Sequence, residues 1–504
     1  MSLAHSTPID NTSTEHFDVL IAGAGISGIG AAYHLQTQCP GKSFVVLESQ
    51  ASFGGTWRTH RYPGIRSDSD LFTFGYRFKP WQGAPIATAE EILKYMGEVI
   101  EENQLARHVR YGYQIATAAW SSDQQLWRIE ATRQGPDGVP NKVRISAKFL
   151  WMCQGYYRHS EGYTPDWSGM DSFKGQFIHP QRWPEGTDLA GKKVVVIGSG
   201  ATAATVVPAV AGKCAHVTML QRSPTYFITG RNVNELVNSL RQIGIDPAWI
   251  HEIARRRILF DQATFTRRCL AEPDVVKREL LAGVRAALGP GFEDVLAQHF
   301  TPSYRPWRQR IAFVPDADLF KAIREGHASV VTGAIETFTP EGIRLQSGQT
   351  LEADVVVAAT GFNLNVLGDI AFSIDGKALD FASTVTYRGA MFTGIPNMTW
   401  VFGYFRASWT LRTDLLGDFV CRLLQHMDAQ GASVVTPRLR AQDQGMARMP
   451  WVDPENFNPG YLARGMGQLP QQGGHPPWLH GQDYWAEKDS LPLADLDDGT
   501  LVYQ

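Results

Sequence analysis

Short apolar runs that end on glycine recur along the chain, separated by segments of helical periodicity. Phe17-Asp-Val-Leu-Ile-Ala22 is the first; it passes straight into Gly23-Ala-Gly25-Ile-Ser27-Gly28 and then into a helix-forming stretch at 29–38. After the break at Cys39-Pro40-Gly41 a second run, 43–47, closes on Glu48. The pattern predicts strand, tight turn, helix, strand. Residues 89–104 read as a helix, and the alternation in Trp127-Arg-Ile-Glu-Ala131 belongs to a series of strands. Phe149-Leu-Trp-Met-Cys153 is apolar throughout, as a buried parallel strand requires, and ends in Gln154-Gly155-Tyr156. The same order returns at Lys193-Val-Val-Val-Ile197, Gly198-Ser-Gly200-Ala-Thr202-Ala203, a helix, and a strand at 216–220. Between 232 and 300 long amphipathic segments such as 273–288 predict a helical insertion, ended by Pro290-Gly291. Asp354-Val-Val-Val-Ala-Ala-Thr360-Gly361 is one more buried strand, and Ser408 is placed to cap a helix over 409–430. The polar opening, 1 to about 15, is expected to fray, and residues from about 436, rich in Pro, Gly and Gln, to wrap the surface.

The glycine spacing carries the first chemistry. Gly23 suits a tight turn, Gly25 a close approach of backbone to a pyrophosphate, and Gly28 close packing of helix on strand; the helix N-terminus adds free N–H groups and a positive dipole end. Glu48 stands where such a unit keeps the carboxylate that binds ribose. The repeat of the motif predicts a second dinucleotide, held by Gly198, Gly200, Thr202 and Ala203. Its second strand ends in Gln221-Arg222-Ser223, where the first unit has its acid. A guanidinium there binds a 2'-phosphate that a carboxylate repels, which selects NADPH over NADH. The fold class is therefore α/β, with two Rossmann-type dinucleotide-binding domains and a helical insertion in the second.

Composition narrows the setting. The 504 residues exceed one core, and 43% hydrophobic with 19% charged residues is ordinary for a globular chain. A net charge of -3 argues against nucleic acid as a partner. The absence of a spanning apolar run and of a secretory opening predicts no transmembrane segment and a cytoplasmic protein. Cys39, Cys153, Cys214, Cys269 and Cys421 are scattered with no CxxC pair, so neither a metal site nor a redox dithiol is expected.

Two longer patterns are more specific. Gly54-Gly55-Thr56-Trp57-Arg-Thr-His-Arg-Tyr62-Pro63-Gly64-Ile-Arg-Ser-Asp68 matches [A/G]GxWxxxx[F/Y]P[G/M]xxxD at every fixed position. The glycines let backbone run close to a cofactor, and Tyr62-Pro63-Gly64 has the composition of a turn that aims Asp68. Phe173-Lys-Gly175-Gln-Phe-Ile-His179-Pro-Gln-Arg-Trp183-Pro184 matches FxGxxxHxxxW[P/D]. From residue 17 to roughly 485 the chain resembles the Baeyer-Villiger monooxygenases, class B flavoproteins. Within them the segments 61–70 and 220–226 most resemble the ethionamide-activating subgroup.

The resemblance implies FAD in the first unit and NADPH in the second, with Gly55, Thr56, Trp57, Asp68, Thr360 and Gly361 adding to the cofactor sites. It implies that NADPH reduces FAD, that O2 adds to give a peroxyflavin, and that one oxygen atom is inserted next to a ketone carbonyl to give an ester or lactone. Arg310 stands where the family keeps its active-site arginine, with Asp68 to orient it, and the helix at 409–430 would point its N-terminus at the flavin. Many relatives have Lys just before that arginine, whereas this chain has Gln309, with Arg305 or Arg308 as substitutes. S- or N-oxygenation, the reaction of flavin-containing monooxygenases, remains the alternative. The expected divisions are 1–165 (FAD domain, first part), 166–190 (linker with the fingerprint), 191–335 (NADPH domain, insertion 232–300), 336–435 (FAD domain, second part) and 436–504 (C-terminal wrapping segment).

Overall fold

The computed structural model describes residues 14–134 and 139–504; the opening expected to fray lies almost wholly outside them. Two sheets organise the chain, the first mixed and the second all parallel. In the first, Glu15–Ala22 pairs in parallel with Phe44–Glu48 on one side and Pro140–Met152 on the other. Val109–Tyr111 extends one edge, and the antiparallel pair Tyr113–Ser121 and Leu126–Gln134 continues the other, as the alternating pattern requires. The central strands are buried because both faces are covered. The long helix Trp409–Gln430 lies against helix Ile26–Gln38 so closely that a Cβ on Gly417 would sit 2.4 Å from the His34 ring.

The second sheet is all parallel, in the order Ala328–Thr332, His216–Gln221, Lys193–Ile197, Val355–Ala358, Gln176–Ile178. Its last two members correct the expected divisions. Residues 176–178, read as linker, form an edge strand of this sheet. A boundary at 335/336 cuts through the same sheet, because Val355–Ala358 pairs with Lys193–Ile197 and the chain leaves only after Ala358. An apolar run ending in Ala-Thr-Gly marks a buried strand without saying in which sheet it is buried.

Helices Glu235–Gln242, Pro247–Ala271, Pro273–Leu288 and Glu293–His299 occupy the span read as an insertion. The second is anchored on the first domain: Arg255 Nη1 donates to the carbonyls of Phe72, Thr73 and Gly75. Two local expectations change. Ser408 occupies the N-cap position of the long helix but makes no capping bond, since its hydroxyl pairs with Thr73 Oγ1 at 2.7 Å. The C-terminal segment is not a surface wrap: Trp451 and Trp478 are buried core residues, and Glu487 pairs with the buried Arg412. Aromatic side chains spaced among Pro and Gly supply this packing without helical or strand periodicity. Among the described residues no helix is long and apolar enough to cross a membrane.

Candidate active site

Each glycine loop is shaped by what a side chain would strike. Gly23 has φ +99°, and a Cβ there would lie 2.8 Å from the Cys153 carbonyl oxygen; one on Gly28 would lie 1.8 Å from the Gly23 oxygen. Glu48 is buried, with Oε2 accepting from the Ala24 N–H at 2.7 Å and Oε1 from the Gln50 N–H at 2.8 Å. Its carboxylate thus holds the loop as well as facing the cavity. Ser27 Oγ accepts from Trp409 Nε1 at 2.8 Å, tying this loop to the start of the long helix. In the second loop Gly198 has φ +129°, and a Cβ would lie 2.3 Å from the Ala359 oxygen.

Both loops open on one cavity of about 690 Å³, lined by Gly23, Gly25, Ser27, Glu48, Gly55, Thr56 and Trp57 from the first unit and by Gly200 and Thr202 from the second. Gly361, Asp68 and Arg310 also line it. Other expected residues stand behind or beside this wall. Ala203 is buried in the second core, Gly198 and Thr360 lie outside the lining, and Arg222 and Ser223 are exposed at the end of their strand.

The fingerprint residues form a joint. Phe173 packs on Phe338, and Trp183 on the core of the second domain. A Cβ on Gly175 would come within 2.5 Å of the Asp354 oxygen, so glycine lets this strand lie beside its neighbour. His179 Nδ1 accepts from the Gln181 N–H, which leaves Nε2–H to donate to the Gly361 carbonyl at 3.2 Å. Burial lowers its pKa, so the ring is a neutral brace for the Thr360-Gly361 turn.

Arg310 Nη1 donates to Asp68 Oδ2 at 2.9 Å. The loop that carries Asp68 is fixed to the second domain at two points just before it. At Gly64, φ is +74° and a Cβ would lie 2.6 Å from the Ala209 Cβ; Arg66 forms a forked ion pair with Asp318 at 2.5 and 3.2 Å. Asp70, nearby, caps the following turn by accepting from the Phe72 N–H.

Several cavity residues escaped the sequence reading. Tyr156 and Tyr157 join their hydroxyls, and Tyr156 stacks on Trp409 with ring centroids 4.8 Å apart. They follow directly on the apolar strand and Gln154-Gly155, a position that marks them in retrospect. His60 also lines the cavity; burial pushes its pKa down to about 4, so it is neutral. Its Nδ1–H donates to the Thr56 carbonyl, leaving Nε2 as a bare acceptor. Tyr461, from the C-terminal segment, has no motif around it.

Comparison with known proteins bears on this arrangement. A model of NAD(P)-binding Rossmann-like domains matches residues 21–80, and one described as flavin-binding monooxygenase-like matches 85–236. The FAD-containing monooxygenase EthA of Mycolicibacterium smegmatis is 43% identical over 97% of both chains. The probable FAD-binding monooxygenase AlmA of an Acinetobacter species is 44% identical over 96% of both. The chain belongs to this family of flavoprotein monooxygenases. Among solved structures, a steroid monooxygenase bound to NADP superposes with a TM-score of 0.68 at 24% identity, covering 84% of this chain and 87% of that one. Cyclohexanone monooxygenase from Rhodococcus sp. Phi1, bound to NADP+, gives 0.68 at 22% identity, with 86% and 88% covered. These share the fold of this family member.

The residues present fit two dinucleotides. A Cβ at Gly25 would meet only the Gly55 Cα at 3.7 Å, and one at Gly200 nothing within 4 Å, so both loops turn bare backbone to open space. Both glycines start a helix, and neither start is capped by its own residue's side chain, which leaves N–H groups for phosphate oxygens.

Proposed function

We propose that this flavoprotein monooxygenase carries out a Baeyer-Villiger reaction: ketone, O2, NADPH and a proton give an ester or lactone, water and NADP+. FAD belongs with Gly23, Gly25, Ser27, Gly28, Glu48, Gly55, Thr56 and Trp57, and NADPH with Gly198, Gly200, Thr202, Ala203, Arg222 and Ser223. When bound, FAD supplies the oxygen-transferring chemistry after reduction by NADPH. The ketone belongs beside Arg310. NADPH as reductant suits the cytoplasmic setting expected from the sequence.

The observation that carries this reading is the Arg310–Asp68 pair on the cavity wall, 2.9 Å apart. Oxygen insertion next to a carbonyl passes through negative charge on oxygen, and a cation already held in place stabilises that charge without the reorganisation that water would need. Arg310 is charged at any physiological pH. Asp68 keeps the guanidinium from swinging, while Tyr156, Tyr157 and Trp409 line the same cavity.

The test is a panel of aliphatic, cyclic and aryl ketones with sulfides, read by product mass. Esters or lactones are expected. Sulfoxides or N-oxides alone would assign the heteroatom reaction instead. Purified protein is expected to be yellow with about one FAD per chain; colourless protein that gains no activity with added FAD would contradict the reading from the start.

A further inference from the structure

The wall near Arg310 is completed by a residue outside every motif. Tyr461, in the helix Gly460–Gly465, lines the cavity, and its hydroxyl is buried with no hydrogen-bond partner among the described residues. Its ring stands edge-on to Tyr157, centroids 5.8 Å apart at 73°, and 6.2 Å from Tyr156. Those two tyrosines share one hydrogen bond, so each hydroxyl has a partner. The Tyr461 hydroxyl has none, and a buried hydroxyl without a partner is destabilising.

Its placement is fastened to the loop that carries Arg310. Arg305 and Arg406 both donate through Nη2 to the backbone oxygen and to Oδ1 of Asn456, and the Asn458 N–H donates to the Arg308 carbonyl. Loop 305–310 and segment 456–461 are therefore held as one piece, and Tyr461 and Arg310 keep a fixed relation across the cavity. Of the two arginines that the sequence offered as partners for a phosphate, Arg305 is occupied in this fastening by its guanidinium, whereas Arg308 gives only its carbonyl and keeps its guanidinium 3.7 Å from Glu455.

We propose that Tyr461 is a substrate-binding residue whose hydroxyl donates a hydrogen bond to the carbonyl oxygen of the ketone seated beside Arg310. This rests on the Baeyer-Villiger reading above. A ketone oxygen has two lone pairs and can accept from a neutral and a charged donor together, whereas a thioether sulfur is a weak acceptor.

The experiment compares FAD-loaded wild type with Tyr461→Phe, which keeps the ring. The substrates are the ketone turned over fastest in the panel and methyl phenyl sulfide. Losing one neutral hydrogen bond should lower kcat/KM for the ketone roughly three- to tenfold. Sulfide turnover should change by less than about twofold, and flavin absorbance, flavin reduction by NADPH and substrate-free NADPH oxidation should be unaltered. An unchanged ketone kcat/KM overturns the assignment. So does a loss shared by the substrate-free reaction, which would mean a structural role. If wild type makes ester and the variant matches it, the Tyr461 inference alone fails; if wild type makes sulfoxide and no ester, the Baeyer-Villiger reading fails and takes this one with it.

Discussion

Arg310 and Asp68, 242 positions apart in the chain, meet at 2.9 Å on the wall between two nucleotide loops. Each is delivered by a different domain, and the forked Arg66–Asp318 pair fastens those domains two residues before Asp68. The contact therefore depends on the domains staying docked, and its chemistry can be separated from cofactor binding. Arg310→Ala should leave FAD content unchanged and slow flavin reduction only modestly, because hydride transfer needs the rings stacked more than a cation at the oxygen site. Ester formation should fall by a factor of about a hundred to a thousand, the usual effect of removing one preorganised electrostatic donor. Normal ester yield in single-turnover assays would remove Arg310 from the mechanism.

Arg222 offers a test of coenzyme choice. It is exposed just after the strand His216–Gln221 and outside the cavity lining. Arg222→Ala should raise KM for NADPH about ten- to a hundredfold relative to NADH, the effect of one charged hydrogen bond. Steady-state kinetics with both coenzymes decides it. Equal effects on the two would make Arg222 a surface residue with no part in selection.

The parts legible in the sequence are those where a local rule forces a residue type. Gly23 and Gly28 were readable because a side chain there would strike backbone, and Asp68 because the turn before it matched a long pattern. The pairing of Val355–Ala358 was not readable, since a run of Val and Ala is equally at home in either parallel sheet. Tyr461 and the Asn456 fastening were hidden for another reason. They depend on contacts between distant segments, and nothing in the spacing of a Pro- and Gly-rich stretch says which side chain ends up at a cavity. Ser408 shows the reverse error: local composition predicted a cap, and Thr73, 335 positions away, took the hydroxyl instead.

Arg412 tests whether the C-terminal segment is part of the core. It is fully buried; Nε donates to Glu487 Oε2 at 3.0 Å, Nη1 to the Gly389 and Phe402 carbonyls, and Nη2 to the Arg388 carbonyl. Arg412→Met would leave three carbonyls without this donor and the buried Glu487 carboxylate with the Tyr404 hydroxyl in place of a cation, a loss of about 3–5 kcal/mol. The melting temperature should drop by several degrees, and Glu487→Gln, which keeps a hydrogen-bonding group, should lose less. A Met variant that melts with wild type would mean the segment is detachable.

His251 sets an acid limit on stability. It is buried in the helix Pro247–Ala271 where that helix meets the first domain, and its Nδ1 accepts from the Trp81 N–H at 3.2 Å. Burial first, then repulsion from Arg255, pushes its pKa down to about 4. In the unfolded chain the ring takes up a proton near pH 6.5, and in the folded protein only near 4. Between those values the unfolded state binds more protons, so stability falls as pH falls through this window and levels off below it. At 1.36 kcal/mol per unit, the full effect is about 3 kcal/mol. His251→Asn keeps an acceptor for Trp81 but cannot be protonated. Its stability deficit relative to wild type, measured by urea unfolding, should therefore shrink or reverse between pH 7 and pH 4.5. Both proteins carry the other titrating groups, His60 among them, so those contributions cancel in the difference. A deficit that stays constant across that range would show that His251 is not what ties this interface to pH.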